Sequence, residues 1–178
     1  ISKFIDLSAF GKNLIEGILK IAIFIGYTAL TALTKDIRRT YEYHGAEHKT
    51  IACYEHEEEL TVENVKKYTR FHPRCGTSFI FLVLFISIFV NTIFRVSWAS
   101  ILLRVVIKIA LLPIVTGIAY ELIRLAGKYD NIFTKIISAP GLWIQRITTS
   151  EPDESQIECA IAALKACIPE NKEDDKWQ

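Results

Sequence analysis

Three long apolar runs dominate the pattern of the chain, and a polar stretch separates the first run from the second. The runs cover residues 14–33, 77–96 and 104–124, and the centre of the second, residues 79–94, carries no charge. A helix of about 20 residues spans about 30 Å, the thickness of the hydrocarbon core of a bilayer. The pattern therefore predicts three transmembrane helices.

The third run contains Pro113 and Gly117, which predict a kink. Residues 131–147 are also apolar, but Pro140 and Gly141 interrupt them. This segment predicts a pair of short helices lying at the membrane interface rather than a fourth span.

Residues 152–168 carry apolar side chains at helical spacing, whereas residues 169–178 are acidic and polar. The first segment predicts an amphipathic helix that docks on the membrane domain, and the second predicts a flexible tail. The residues that form the apolar face of the helix are Ile157, Ile161, Leu164 and Ile168. The expected fold is an all-α integral membrane protein, with residues 1–168 as a single membrane domain.

Basic residues are concentrated in the polar loop 35–76, which holds eight of them, whereas the short connection between the apolar cores of the second and third runs is flanked by only two, Arg95 and Arg104. Positively charged loops stay on the cytoplasmic side, so loop 35–76 is predicted to form a cytoplasmic helical hairpin, with a short helix starting at Thr61. Composition agrees with a membrane location, at 51% hydrophobic residues. A net charge of +1 argues against nucleic-acid binding, which needs a basic face.

The loop contains the sequence YHGAEHKT, in which His44, Glu47 and His48 fall on one face of a helix. Two histidines one helical turn apart often bind the same zinc ion. The order H-x-x-E-H inverts the metalloprotease helix in which a glutamate activates the metal-bound water. A solvated polar helix whose histidines only form hydrogen bonds would give the same pattern.

A second cluster, His72-Pro-Arg-Cys75, lies where the second apolar run begins. Histidine and cysteine three residues apart can bind one ion, with the cysteine as thiolate. The alternative is that His72 is an ordinary membrane-boundary residue and that Cys75 is a small buried hydrophobic residue. Glu55, His56 and Glu121 are reserve ligands, although Arg124 could instead pair with Glu121.

At these motifs the chain resembles the YqhQ-like bacterial membrane proteins, a family of unknown function. The resemblance extends from residue 13 onward and implies a bacterial inner-membrane location, but no reaction. Members are usually longer. Together with Ile at position 1 and the lack of methionine, this predicts that the chain is the C-terminal portion of a longer protein. The segments that carry the resemblance are YHGAEHKTI (43–51), HPRCGTSF (72–79), LLPIVTGIAYE (111–121), APGLWIQRITTSEP (139–152) and IECAIAAL (157–164).

The leading hypothesis is a membrane-embedded metalloprotein, with zinc or another transition metal held by His44 and His48 and completed by His72, by Cys75 or by both. If one coordination position stays open, Glu47 would act as general base in hydrolysis of a peptide or a lipid-linked substrate. A closed site would instead make the protein a non-catalytic assembly factor.

A rival hypothesis is a transporter or channel-like protein, in which Lys20, Asn91, Lys108 and Glu121 line a polar route. Three spans are few for a transporter, so this function would need a homo-oligomer or further segments.

Overall fold

The computed structural model describes residues 9–93, 100–129 and 131–169, and within these ranges the chain forms seven α-helices and no strand. The helices are α1 (Ala9–Thr31), α2 (Lys35–Glu55), α3 (Val62–Lys66), α4 (Gly76–Ile93), α5 (Ile101–Lys128), α6 (Ile132–Thr148) and α7 (Glu154–Cys167). The all-α prediction is confirmed for the described residues. Positions 94–96 of the second apolar run and positions 170–178 of the expected tail lie outside them.

The chain divides into two compact units. The first, here called the apolar unit, comprises residues 1–30 and 73–145, and the second, the polar unit, comprises residues 31–72 and 146–178.

The apolar unit contains three apolar helices, α1, α4 and α5, together with most of α6. The segment Gly11–Thr31 and helix α5 are long and apolar enough to cross a membrane, and Gly76–Asn91 of α4 is a shorter apolar helix. Helices α4 and α5 pack through Ile86, Val115 and Ala119, while large apolar side chains elsewhere on the helices are exposed. Exposed apolar faces of this extent are typical of surfaces that another apolar phase covers.

Helix α6 differs from the sequence prediction, because it is one helix with Pro140 inside it rather than two short ones. The physical reason lies at Gly141, where a Cβ atom would stand 2.6 Å from the Cβ of Ser78 on α4. Close packing therefore explains this glycine, and the buried Gln145 donates a hydrogen bond of 2.7 Å to Ser78 Oγ. A proline removes only one backbone donor, and tertiary packing of this kind can hold the helix together.

The polar unit is organised around α2, α3 and α7. Thr61 caps α3 as predicted, with its Oγ1 accepting a hydrogen bond from the Asn64 backbone N–H at 3.3 Å. The core of the unit consists of Ala46, Cys53, Val65, Ile157 and Ile161. Helix α7 thus buries its apolar face against α2 and α3, whereas the sequence predicted docking on the membrane domain. The polar loop is a partner for α7 because Ala46 and Cys53 of α2 and Val65 of α3 form an apolar cluster with Ile157 and Ile161.

Candidate metal centre

Two imidazoles stand one turn apart on α2. The ring centroids of His44 and His48 are 4.3 Å apart in an edge-on arrangement, as expected for positions i and i+4 of a helix. One ring nitrogen of His44 lies within 4.8 Å of a ring nitrogen of His48, which makes the two histidines candidates for binding one ion.

The Nδ1 atoms of both rings face backbone carbonyl groups. His44 Nδ1 lies 2.8 Å from the carbonyl oxygen of Thr148, and His48 Nδ1 lies 2.7 Å from that of Arg70. A carbonyl oxygen can only accept a hydrogen bond, so each Nδ1 must carry the proton and donate it. In the neutral ring, Nε2 is then the nitrogen that holds the lone pair. Metal-ligating histidines are usually oriented in this way.

A third imidazole, His72, lies beside the pair. Its ring centroid is 5.6 Å from that of His48, and both side chains are buried. His72 Nε2 is 3.5 Å from a carboxylate oxygen of Glu55, at the end of α2. The segment after α3 thus brings His72 to the α2 histidines, and Glu55, a reserve ligand from the sequence, stands next to it.

A strap formed by residues 148–151 is fixed against α2 and supports the site. The Ser150 backbone N–H donates to the Tyr41 carbonyl oxygen at 2.8 Å, and the buried Lys49 ammonium pairs with Glu151 at 2.8 Å. Gly45, between the two histidines, is required because a Cβ atom there would collide with the Ser150 carbonyl oxygen. The strap therefore sets the position of the Thr148 carbonyl that orients His44.

Sequence reasoning missed the supporting residues. The orienting groups of Thr148 and Arg70 are backbone carbonyls, which leave no side-chain signal. Arg70 is also a structural residue, because its guanidinium donates hydrogen bonds to the carbonyl and the hydroxyl oxygen of Thr149. The available signal was Gly45 inside the histidine motif, since a glycine in a helix interior often marks a close approach.

Two other predicted residues of the loop lie apart from this contact network. Glu47 is exposed, and it has no hydrogen-bond or ion-pair partner within the described residues. His56 is also exposed, and its Nδ1 lies 2.7 Å from the Ala52 carbonyl oxygen while its ring packs near Tyr68. Glu47 is thus available to solvent, and His56 serves the end of α2.

The remaining predicted residues belong to the apolar unit. Glu121 forms an ion pair of 3.4 Å with Arg124, the partner that the sequence suggested as an alternative to a metal. Cys75 is buried just before α4 begins, and its sulfur lies 3.0 Å from the hydroxyl of Thr77.

Cys53 has a different environment from the candidate ligands. It lies fully buried in the core of the polar unit, and burial raises the pKa of its thiol. A raised pKa keeps the thiol protonated and disfavours metal binding, which needs the thiolate. Cys53 is therefore a packing residue.

Comparison with known proteins identifies the family. The profile of a family described as "Protein of unknown function (DUF1385)" matches residues 1–170. The chain belongs to this family. The "Uncharacterized protein YqhQ" of Bacillus subtilis (strain 168) is 42% identical over 155 residues, which are 86% of this chain and 48% of that protein. No solved structure matches the chain.

The resemblance to YqhQ-like proteins is thereby confirmed, and the chain spans about half the length of the curated relative it matches. Membership in the DUF1385 family brings no reaction with it. In this DUF1385 chain, the polar unit groups three imidazoles, and hydrogen bonds fix the tautomer of two of them.

Proposed function

We propose that the chain is a membrane-embedded metal-binding protein whose centre is built on His44, His48 and His72. The observation that carries this proposal is the pair of Nδ1 hydrogen bonds to the carbonyls of Thr148 and Arg70. These bonds use only the Nδ1 atoms, so the Nε2 lone pairs of both rings, one helical turn apart, remain available to a metal ion. Imidazole nitrogen suits zinc best among the abundant divalent ions that carry no redox chemistry, so zinc is the proposed ion.

Cys75 is the proposed fourth ligand, on the strength of its spacing along the chain. It follows His72 by three residues, a spacing at which histidine and cysteine can bind one ion. Three imidazoles and one thiolate complete a tetrahedral site of the structural type. Glu55, which already contacts His72, would be the substitute in an oxygen-containing set. Such an ion would tie the segment around Arg70 to α2.

The burial of His48 and His72 favours a closed centre that stabilises the polar unit. Metal-assisted hydrolysis is the second candidate, and the exposure of Glu47 supports it. An unpaired carboxylate next to His48 could act as general base if Cys75 were not a ligand and water held the fourth position. The substrate would then be a peptide or a lipid-linked molecule reaching the polar unit from the cytoplasm.

The proposed location is a bacterial inner membrane, with the apolar unit in the bilayer and loop 35–76 on the cytoplasmic side. The apolar segment Gly11–Thr31 and helix α5 support it by length and composition. The excess of basic residues in the loop supports the orientation. Alkaline carbonate extraction of cell membranes tests this part of the proposal, since an embedded chain stays in the pellet and a peripheral one is released.

Metal content of the purified chain tests the centre. We expect about one zinc per wild-type chain and a large loss in His48→Ala and in Cys75→Ser, because each removes one ligand of four. His56→Ala is the matched control, since it removes an exposed histidine of the same unit and should retain the metal. Metal-free wild-type protein, or equal loss in the His56 variant, would overturn the proposal.

Glu47→Gln separates the two candidate functions. It keeps the size of the side chain and removes the base, so a closed centre predicts full metal content and unchanged cellular function. Hydrolysis predicts full metal content with function reduced by a factor of about 100 or more.

A further inference from the structure

A polar pocket lies among the apolar helices of the apolar unit, far along the chain from the histidines. Its volume is about 110 Å³. One water molecule needs about 10–15 Å³ of such space, so the pocket can hold a group considerably larger than a single water. The polar residues that line it are Asn13, Glu16, Lys20, Ser87, Asn91, Arg104 and Lys108.

Most of these residues lie towards one end of the helices, and Lys20, at the middle of α1, places its ammonium 2.6 Å from Glu16, one turn nearer that end. Two packing contacts show that α1 and α4 run antiparallel: a Cβ atom on Gly17 would touch Ile88, and the ring centroids of Phe24 and Phe81 are 6.5 Å apart. The pocket therefore combines the start of α1 with the end of α4 and the start of α5. In a bilayer, this is the end of the helices where lipid headgroups lie.

The pocket carries an excess of positive charge. Glu16 is its single carboxylate among the described lining residues, and it lies 2.6 Å from the Lys20 ammonium and 3.5 Å from that of Lys108. Arg104 adds a third cation. With three cations and one carboxylate, the site has a net positive charge, which attracts anions.

Two buried polar atoms of the lining have no hydrogen-bond partner within the described residues, namely Asn91 Oδ1 and Arg104 Nε. The Asn91 amide is oriented by its nitrogen, which donates to the Ser87 carbonyl oxygen at 2.6 Å. Its oxygen is therefore held as an acceptor, while Arg104 Nε is a donor. Leaving buried donors and acceptors unpaired is costly, which favours a ligand that pairs with both.

We propose that this pocket binds the headgroup of an anionic phospholipid that carries a hydroxyl group, such as phosphatidylglycerol. The phosphate oxygens would accept from Arg104 and from the two lysines, and the headgroup hydroxyl would donate to Asn91 Oδ1. This pairing uses the charge excess and both unpaired atoms, whereas a choline headgroup has no hydroxyl to donate. The same residues that would line a polar transport route, Lys20, Asn91 and Lys108, thus serve as a lipid site.

The proposal rests on the proposed membrane insertion but not on the metal centre. Its test is lipid titration of the purified full chain in detergent, followed by native mass spectrometry, with phosphatidylglycerol, phosphatidylcholine and inorganic phosphate as probes. We expect the wild-type chain to bind phosphatidylglycerol at least about tenfold more tightly than phosphatidylcholine, since a charge-assisted hydrogen bond is worth a factor of that order. Inorganic phosphate should bind more weakly than phosphatidylglycerol, because it lacks the acyl chains.

Arg104→Gln should weaken phosphatidylglycerol binding about tenfold, and Asn91→Asp should do so by placing a negative charge in the pocket without changing its size. Lys12→Gln is the control, because it removes an exposed cation of α1 that does not line the pocket. Equal affinity for the two lipids, equal effects of Arg104→Gln and Lys12→Gln, or binding of inorganic phosphate without phosphatidylglycerol would each overturn the proposal. Carbonate extraction and zinc content of the same variants show whether insertion or the metal centre failed instead.

Discussion

The two compact units differ in what they bury and what they expose. The apolar unit buries few side chains and exposes large apolar ones along α1, α4 and α5. The polar unit buries a small apolar core together with polar groups such as His48, Lys49 and Thr50. A surface covered by lipid needs no polar side chains, whereas polar groups buried inside a protein need hydrogen-bond partners. The polar unit supplies these partners, and they are what orient the candidate ligands.

The substitution with the largest expected effect places a charge on the exposed face of the apolar unit. Ile114 lies in the middle of α5 and is 57% exposed. Ile114→Arg should oppose insertion by about 2.5–3.5 kcal/mol and reduce the fraction of chain that resists carbonate extraction. Ile114→Leu is the control and should behave as wild type. If the arginine variant instead became more soluble with its fold intact, water and not lipid would cover this face.

Glycine substitutions compare the packing of the two units. Gly45→Ala places a Cβ atom against the Ser150 carbonyl oxygen, a backbone group that cannot move cheaply. Thermal unfolding should show a loss of about 1–3 kcal/mol and weaker metal binding. Gly26→Ala in α1 meets nothing within 4 Å and should stabilise the helix by about 0.5–1 kcal/mol. Equal effects of the two substitutions would mean that the strap does not press on α2.

Two ion pairs within the polar unit allow a comparison between a pair with a buried lysine and a pair at the surface. Glu151→Gln leaves the buried Lys49 without its carboxylate, so we expect a loss of about 1 kcal/mol, limited by the exposure of Glu151. Glu154→Gln removes the exposed partner of Lys66 and should cost less than about 0.5 kcal/mol. Chemical denaturation measures both, and a larger effect at Glu154 would contradict the role given to the strap.

The smallest effect concerns pH at the start of α7. Asp153 caps the helix, and its hydrogen bonds with the Ser155 side chain and the Gln156 backbone hold the pKa of its carboxyl below the ordinary value of 3.8. The carboxylate form therefore stabilises the helix above that value, and this contribution is lost as the pH falls through the lower pKa of the folded state. Asp153→Asn should remove this pH dependence while keeping a cap. Amide hydrogen exchange of α7 between pH 5 and pH 3 measures it, and equal pH dependence in both proteins would contradict the assignment.

The sequence predicted those features that local periodicity and spacing determine. The apolar runs gave α1, α4 and α5, Thr61 gave the cap of α3, and the spacing of His44 and His48 placed both rings on one face. The prediction from sequence was wrong where tertiary contacts determine the structure. Gly141 permits close contact with Ser78 and does not break α6. The carbonyls that orient the histidines could not be predicted, because backbone groups carry no side-chain signal and lie 104 residues from His44 and 22 residues from His48 along the chain.

The most direct test of the account is X-ray absorption spectroscopy at the zinc edge of the purified wild-type chain, with Cys75→Ser beside it. A centre of three histidines and Cys75 predicts nitrogen neighbours at about 2.0–2.1 Å together with one sulfur neighbour at about 2.3 Å, and loss of the sulfur signal in the Cys75 variant. Zinc surrounded by oxygen alone, or a spectrum unchanged by His48→Ala, would contradict a metal centre built on the histidines of the polar unit.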